Sequence, residues 1–134
     1  MTAAVIIDDD PDDIELLSEA IKEVAPTLAL TSFTDPQEAI HFLNMPENCP
    51  SCVFLDINMP GLNGHECLEI LRAKPFLKKC AVVILSTGMS ADVKTVVKKK
   101  GATLAFKKPH SFRSLQRIVS KVMSVVEGRD ASGR

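Results

Sequence analysis

Five short apolar runs alternate along this chain with longer stretches of helical period, and no other feature limits its fold as strongly. The runs are Ala4–Ile7, Leu28–Phe33, Cys52–Leu55, Ala81–Leu85 and Thr103–Phe106. Each has the length of a strand rather than a buried helix. Leu28–Phe33 alternates like a half-covered strand, whereas runs such as Val82–Leu85 are continuously apolar, as in strands covered on both faces. Between the runs lie amphipathic stretches. Ile14, Leu17, Ile21 and Val24 share one helix face, Ala39, Ile40 and Leu43 a second, and Cys67, Leu68 and Leu71 a third. Val93, Val96 and Val97 mark a fourth helix, and Leu115, Ile118, Val119, Val122 and Val126 the last and most periodic one. Asp10-Pro11 and Asp35-Pro36 each place a capping carboxylate before a proline suited to the first helical position. Gly101 reads as the residue that ends the fourth helix. Met45–Ser51 reads as a loop, and Met59-Pro60-Gly61 with Asn63-Gly64 as a structured turn, while the third helix is expected to stop near Lys74-Pro75.

Strict strand–helix alternation predicts an α/β fold, a doubly wound parallel sheet of five strands with helices on both faces. The expected domain spans residues 1–127. The small, polar residues 128–134 are expected to form a flexible tail. Ligands of such sheets bind beyond the carboxyl ends of the strands, so the residues that follow each run carry the functional reading.

Bulk properties exclude several classes. Within 134 residues there is room for one domain, and sixteen basic residues against seventeen acidic ones create no field favouring nucleic acid or membrane. No apolar run approaches the length of a membrane span. The N-terminus enters a strand-like segment almost directly, with no visible leader, so a cytoplasmic location is expected. Cys49-Pro50-Ser51-Cys52 has redox spacing, but it precedes a strand instead of opening a helix, so the dipole that would activate a thiol is missing. Cys67 and Cys80 do not complete a zinc site. Lys98–Lys100 reads as a solvated helix end, and His41, His65 and His110 have neither metal-ligand spacing nor a catalytic partner.

The strand ends hold a different constellation. Asp8, Asp9 and Asp10 follow the first run, Asp56 the third, Ser86 and Thr87 the fourth, and Lys108 the fifth. Asp10 suits a helix cap, and so do Asp12 and Asp13, but capping does not require two more aspartates upstream. Clustered carboxylates repel and stay ionised only around a cation. Oxygen donors without His or Cys point to a hard ion, Mg²⁺, which favours a few carboxylates together with phosphate oxygens. A carboxylate nucleophile, a metal, a lysine and a hydroxyl are the equipment for phosphoryl transfer.

These residues carry a resemblance to the response-regulator receiver domains of two-component signalling, of the chemotaxis (CheY-like) single-domain type. The matching pieces are Ile7-Asp8-Asp9, the stretch from Leu55-Asp56 through Asn63-Gly64, Leu85-Ser86 and Lys108-Pro109, in order and at the family's intervals. The resemblance covers nearly the whole chain and implies a (βα)5 flavodoxin-like fold. It implies that Asp56 accepts the phosphoryl group, and that Asp9 binds Mg²⁺ directly while Asp8 acts through a metal-bound water. Asp56 itself and the backbone carbonyl of Asn58 would complete the metal's protein ligands. Lys108 would pair with Asp56 and then with the phosphoryl oxygens, and Ser86 would act as the switch hydroxyl. A cis peptide at Lys108–Pro109 is also implied. Some positions depart from the family pattern. Thr87 is bulkier than usual, Asn63 replaces an Asp, and Ala105 stands where an aromatic switch residue is common. Strand alternation should turn the neighbouring Phe106 to the opposite face.

The expected function is therefore a stand-alone phosphoacceptor switch, not an enzyme acting on other substrates. Its implied partners are a sensor histidine kinase or phosphotransfer protein and a downstream target protein, with the chain a monomer or weak dimer. Two alternatives are a haloacid-dehalogenase-type Mg²⁺-dependent phosphatase, which needs a second aspartate where Asn58 stands, and a receiver-like scaffold that is never phosphorylated.

Overall fold

The computed structural model describes residues 3–59 and 61–131. Its elements are β1 (Ala3–Ile7), α1 (Pro11–Val24), β2 (Ala29–Phe33), α2 (Pro36–Leu43), β3 (Cys52–Leu55), α3 (Gly64–Arg72), β4 (Ala81–Ser86), α4 (Ala91–Lys99), β5 (Leu104–Lys107) and α5 (Phe112–Ala131). All five strands pair in parallel, in the order β2-β1-β3-β4-β5. The fold is thus the doubly wound, flavodoxin-like architecture that the alternation predicts. From β1 the chain winds outward first to one side and then to the other. This reversal opens a crevice between the carboxyl ends of β1 and β3, where Asp8 and Asp56 emerge.

Strand pleating divides the core into two layers. Ile6, Phe54 and Val83 face α1 and α5 and pack with Leu17, Ile21, Val119 and Val122. Val5, Ile7, Val53, Leu55 and Ile84 face the other helices and pack with Ala39, Leu43, Leu68, Leu71 and Val97. Strands β3 and β4 are buried throughout, whereas edge strand β2 is mostly exposed or half-buried. Burying both faces of the central strands is the main stabilising term, worth about 1.5–3 kcal/mol for each large apolar side chain.

The helix starts follow their local chemistry. Asp10 and Asp35 accept hydrogen bonds from the N–H groups of Asp12 and Gln37, both at 2.9 Å, ahead of the expected prolines. Asn63 does more than turn the chain. It accepts from the N–H of Glu66 at 3.0 Å and donates to the Glu66 carboxylate at 2.8 Å, a reciprocal cap that fixes the start of α3. The two Pro-led segments read as loop or helix end contain short 3-10 helices, Pro46–Asn48 and Pro75–Leu77. Gly101 follows α4 at positive φ, as its helix-ending role requires. Helix α5 continues past Glu127 to Ala131, into the segment expected to be a tail, and residues 132–134 lie outside those described.

At the opposite rim of the sheet, Arg72 holds the end of α3 in place. Its guanidinium donates to the carbonyls of Gly101, Leu77 and Cys80 and to the Thr103 hydroxyl, at 2.7–3.1 Å. The cysteines are free; Cys49 is exposed and the other three are buried. Burial pushes the Cys52 and Cys67 thiols up to about 12, so neither forms a thiolate near neutral pH. Among the described residues, no helix is long and apolar enough to cross a membrane.

Candidate functional site

Backbone ladders deliver the functional residues to one rim. The Asp8 N–H donates to the Phe33 carbonyl at 3.1 Å, and the Asp56 N–H to the Ile7 carbonyl at 3.0 Å. The Lys108 N–H donates to the Ser86 carbonyl at 3.0 Å. Each bond continues a strand pair to its carboxyl end, so Asp8, Asp56 and Lys108, just past β1, β3 and β5, lie on one rim with Ser86, the last residue of β4. One carboxylate oxygen from each of Asp8, Asp9 and Asp56 lies within 4.8 Å of the others. Asp8 is 6% exposed and Asp56 7%, whereas Asp9 faces solvent.

Lys108 enters from β5. Its ammonium donates to Asp56 at 3.1 Å, to Asp8 at 2.8 Å and to Asp13 at 2.6 Å. Burial works against the lysine's charge, but the Asp13 and Asp8 hydrogen bonds outweigh it and hold the ammonium protonated well above the ordinary lysine range. The resemblance implies the partnership with Asp56; the one with Asp13 is new. Nothing in the sequence separates Asp13 from an ordinary carboxylate in a helix's first turn. The implied cis peptide at Lys108–Pro109 is not observed: the described residues contain no cis peptide bond. The trans form is the lower-energy one, and the ladder bond to Ser86 already directs the lysine toward the carboxylates.

Both oxygens of Asp56 are engaged. Oδ1 accepts from the Asn58 backbone N–H at 2.9 Å, and Oδ2 accepts from Lys108. Ser86 is fully buried, and its Oγ accepts from the Asn58 side-chain amide at 2.8 Å. Asn58 therefore links the phosphoacceptor candidate to the hydroxyl candidate. A Cβ at Gly88 would lie 2.9 Å from that amide nitrogen, so the absence of a side chain there leaves the space Asn58 occupies. Thr87 points outward and is exposed. Ala105 packs in the core layer beneath α2, α3 and α4, while Phe106 packs on the α1/α5 side with the Lys121 ammonium 5.9 Å from its ring centre. Strand alternation placed the two residues as expected.

Burial pushes the Asp8 carboxyl up to about 6, against the lowering effect of Lys108 and of the Asp10 N–H. Between about pH 4 and pH 6 the folded chain thus keeps a proton that the unfolded chain has lost, and stability falls as pH rises through that window. A shift of this size corresponds to at most about 3 kcal/mol. Denaturant melts of the metal-free protein and of Asp8→Asn should show the wild type losing stability relative to the variant from about pH 4 to pH 6. A relative gain would refute this assignment.

Three carboxylates, one of them open to water, with no soft donor among them, suit a hard divalent cation with part of its hydration shell retained. With a lysine and a buried hydroxyl at the crevice of a 2-1-3-4-5 sheet, they define a receiver-type α/β domain. The sequence matches the family model of the response regulator receiver domain over residues 4–120, and the chain belongs to that family. Receiver domains act in two-component signalling and bind Mg²⁺ or Mn²⁺ at such an acidic pocket.

Among relatives, the chain is 30% identical over 93 residues to the response regulator Rcp1 of Synechocystis, covering 66% of this chain and 63% of Rcp1. It is 25% identical over 122 residues to a probable methanogenesis regulatory protein, FilR2, of Methanothrix harundinacea, covering 88% and 79%. A match to RcaC of Microchaete diplosiphon takes in only 12% of that protein. Among solved structures, the phosphorylated cyanobacterial phytochrome response regulator RcpA superposes with a TM-score of 0.79 at 25% identity, covering 90% of each chain. Mn²⁺-bound Rcp1 gives 0.79 at 24% identity, covering 92% and 93%, and supports the fold.

Proposed function

We propose that this chain is a phosphorylation switch in which Asp56 accepts a phosphoryl group from a histidine kinase or phosphotransfer protein in a Mg²⁺-dependent reaction. The observation that carries the reading is the held state of Asp56: a buried carboxylate gripped by one backbone N–H and one lysine, beside two further carboxylates. An Asp56 oxygen attacks phosphorus, the P–N bond of the donor's phosphohistidine breaks, and the electron pair leaves with the imidazole nitrogen. The product is an acyl phosphate on Asp56. When bound, Mg²⁺ would neutralise phosphoryl charge. The residues that would hold it are Asp9 directly, Asp8 through water, Asp56 and the Asn58 backbone carbonyl. Lys108 steadies Asp56 before transfer and the phosphoryl oxygens after it. Ser86 Oγ accepts from the Asn58 amide and keeps its own proton to donate; a shift of Ser86 toward a phosphoryl oxygen would carry the state of the site into the loop after β4. The signal then passes to a cytoplasmic target by protein–protein contact. The phosphatase reading is disfavoured because Asn58, in the place of its required second aspartate, is a hydrogen-bonded amide.

Intact mass after incubation with acetyl phosphate tests the proposal. One phosphoryl group should be added with Mg²⁺ and none with the metal chelated. An unchanged mass with Mg²⁺ present would support the scaffold alternative.

The lifetime of the phosphorylated form should depend on Asn58 and Gly88 together. Hydrolysis needs a water in line with the Asp56–phosphorus bond, and these two positions flank that approach. Gly88→Glu is expected to shorten the lifetime and Asn58→Ala to lengthen it. Because a side chain at 88 displaces the Asn58 amide, the double variant should depart from the product of the single effects by at least about twofold. Decay of the added mass after donor removal measures all four proteins. A Gly88→Glu lifetime equal to the parent's or longer would count against the mechanism.

A further inference from the structure

We propose that the α4 face of one copy docks on the α2 face of the next, so that the chain associates head to tail through opposite charges. The proposal does not depend on the phosphoacceptor reading of Asp56. The near-equal totals of acidic and basic residues conceal a separation along the chain. Fourteen of the seventeen acidic residues lie within residues 1–70, together with one basic residue, Lys22. The other fifteen basic residues lie within residues 71–134, together with three acidic ones. Strand order carries this separation into space. Residues 1–70 supply β2, β1 and β3, and residues 71–134 supply β4 and β5. One edge of the sheet is therefore acidic and the other basic.

The two poles carry matching surfaces. Helix α2 packs on edge strand β2 and α4 on edge strand β5, both on the same side of the sheet. Beside α2 lies an open cleft of about 480 Å³ walled by Phe33, Phe42 and Met45 and lined also by Glu38 and His41. The two ring centres are 5.3 Å apart, which makes one continuous apolar wall. Glu47, also exposed, sits in the Pro46–Asn48 turn that borders the cleft. Apolar walls next to carboxylates suit a lysine, whose stem packs on the rings while its ammonium meets the charge. Helix α4 presents such residues: Lys94 and Lys98 are exposed and stand one turn apart on one face. Among the described residues, none of Lys94, Lys98, Glu38 and Glu47 takes part in an ion pair.

A second copy is the partner that meets both requirements at once, supplying lysines for the cleft and carboxylates for the lysines. Contact between like poles would oppose charges of one sign. A two-fold pair could satisfy both surfaces only by stacking the α2, α3 and α4 layer of one copy on that of the other. Exposed Glu66 and Glu69 of α3 would then face their own counterparts. Docking of α4 on the cleft at the next copy's β2 edge avoids this, and repetition of that one contact builds an open row.

Sedimentation equilibrium tests the contact. In about 0.01 M salt, where fields reach roughly 30 Å, the weight-average mass should climb with protein concentration past twice that of one chain. In about 1 M salt, where the reach falls to roughly 3 Å, it should return to that of one chain. Lys94→Glu/Lys98→Glu should stay as single chains in low salt, and so should Glu38→Lys/Glu47→Lys. Mixed in equal amounts, these two variants should associate, because the acidic α4 face of the first meets the basic cleft of the second. Glu15→Lys/Glu19→Lys, on α1 at the other side of the sheet, has the same net charge as the cleft variant and should associate as the wild type does. Thermal melts close to the wild type's check that each variant is folded. One-chain mass under all conditions, a mass that stops at two chains, association of the α4 or cleft variant alone, or no recovery on mixing would each overturn the proposal. Single chains retained by double-stranded DNA would overturn it too, by giving the α4 lysines a polyanion instead.

Discussion

Asp56→Asn should take up no phosphoryl group under conditions where the wild type gains one. An amide has the shape of the carboxylate, and its oxygen can still accept the Asn58 N–H that engages Asp56 at 2.9 Å. It lacks the negative charge that makes a carboxylate oxygen nucleophilic enough to attack phosphorus. No neighbour is placed to take over: Asp8 is tied to Lys108 and to the Asp10 N–H, while Asp9 is exposed at the edge of the site. The variant also removes one charge from a cluster of mutually repelling carboxylates. Its melting temperature should therefore match or exceed that of the metal-free wild type, which separates lost chemistry from lost structure. Intact mass after acetyl phosphate treatment decides the matter, and a phosphoryl adduct persisting in the variant would displace Asp56 from its role.

Gly64→Ala should be among the most damaging single substitutions in the chain. A Cβ at this position would lie 2.1 Å from the Ile57 Cα and 2.5 Å from the Asp56 carbonyl oxygen. Both are backbone atoms, so no side chain can swing aside. The Gly64 N–H also donates to the Ile57 carbonyl at 3.1 Å, clamping the start of α3 against the end of β3. The methyl group must push apart the segment that carries Asp56. A loss on the order of 3–5 kcal/mol is expected, a fall in melting temperature of roughly 10 °C or more for a domain of this size. Gly61→Ala serves as the contrast. Its φ is +77°, but a Cβ there meets nothing within 4 Å, so it should lose only about 1–2 kcal/mol of left-handed backbone preference. A thermal melt of Gly64→Ala within a few degrees of the wild type would show that the β3–α3 junction can yield.

Much of this arrangement can be read from residue types, because burial on two faces leaves a plain pattern. Val82–Leu85 has no polar interruption and becomes a central strand, whereas Thr31 and Ser32 mark β2 as the exposed edge. Asp8, Asp9, Asp56, Ser86 and Lys108 can be found because each follows a strand, and a parallel sheet brings such positions to one rim. What stayed hidden depends on partners that carry no signature. Asp13 matches any acidic residue of a first helical turn until its neighbour across the site is known. Arg72 binds three carbonyls, and every residue has a carbonyl. The link from Asn58 to Ser86 joins positions twenty-eight apart and exists only because residue 88 lacks a side chain. The cis peptide expected at Pro109 belonged to the family pattern, and nothing local in this chain calls for it.

The three bonds of Lys108 also have a consequence for how the molecule assembles. Its carboxylate partners lie 100, 95 and 52 positions earlier in the chain. Contacts of such long range form late, because the entropy of closing long loops must be met before they contribute. A chain emerging from the ribosome displays its acidic cluster for as long as β5 remains unmade, with no internal cation to balance it. The order of synthesis thus leaves Asp8, Asp13 and Asp56 without the Lys108 ammonium until β5 has been made, so this charge balance is among the last features of the rim to form.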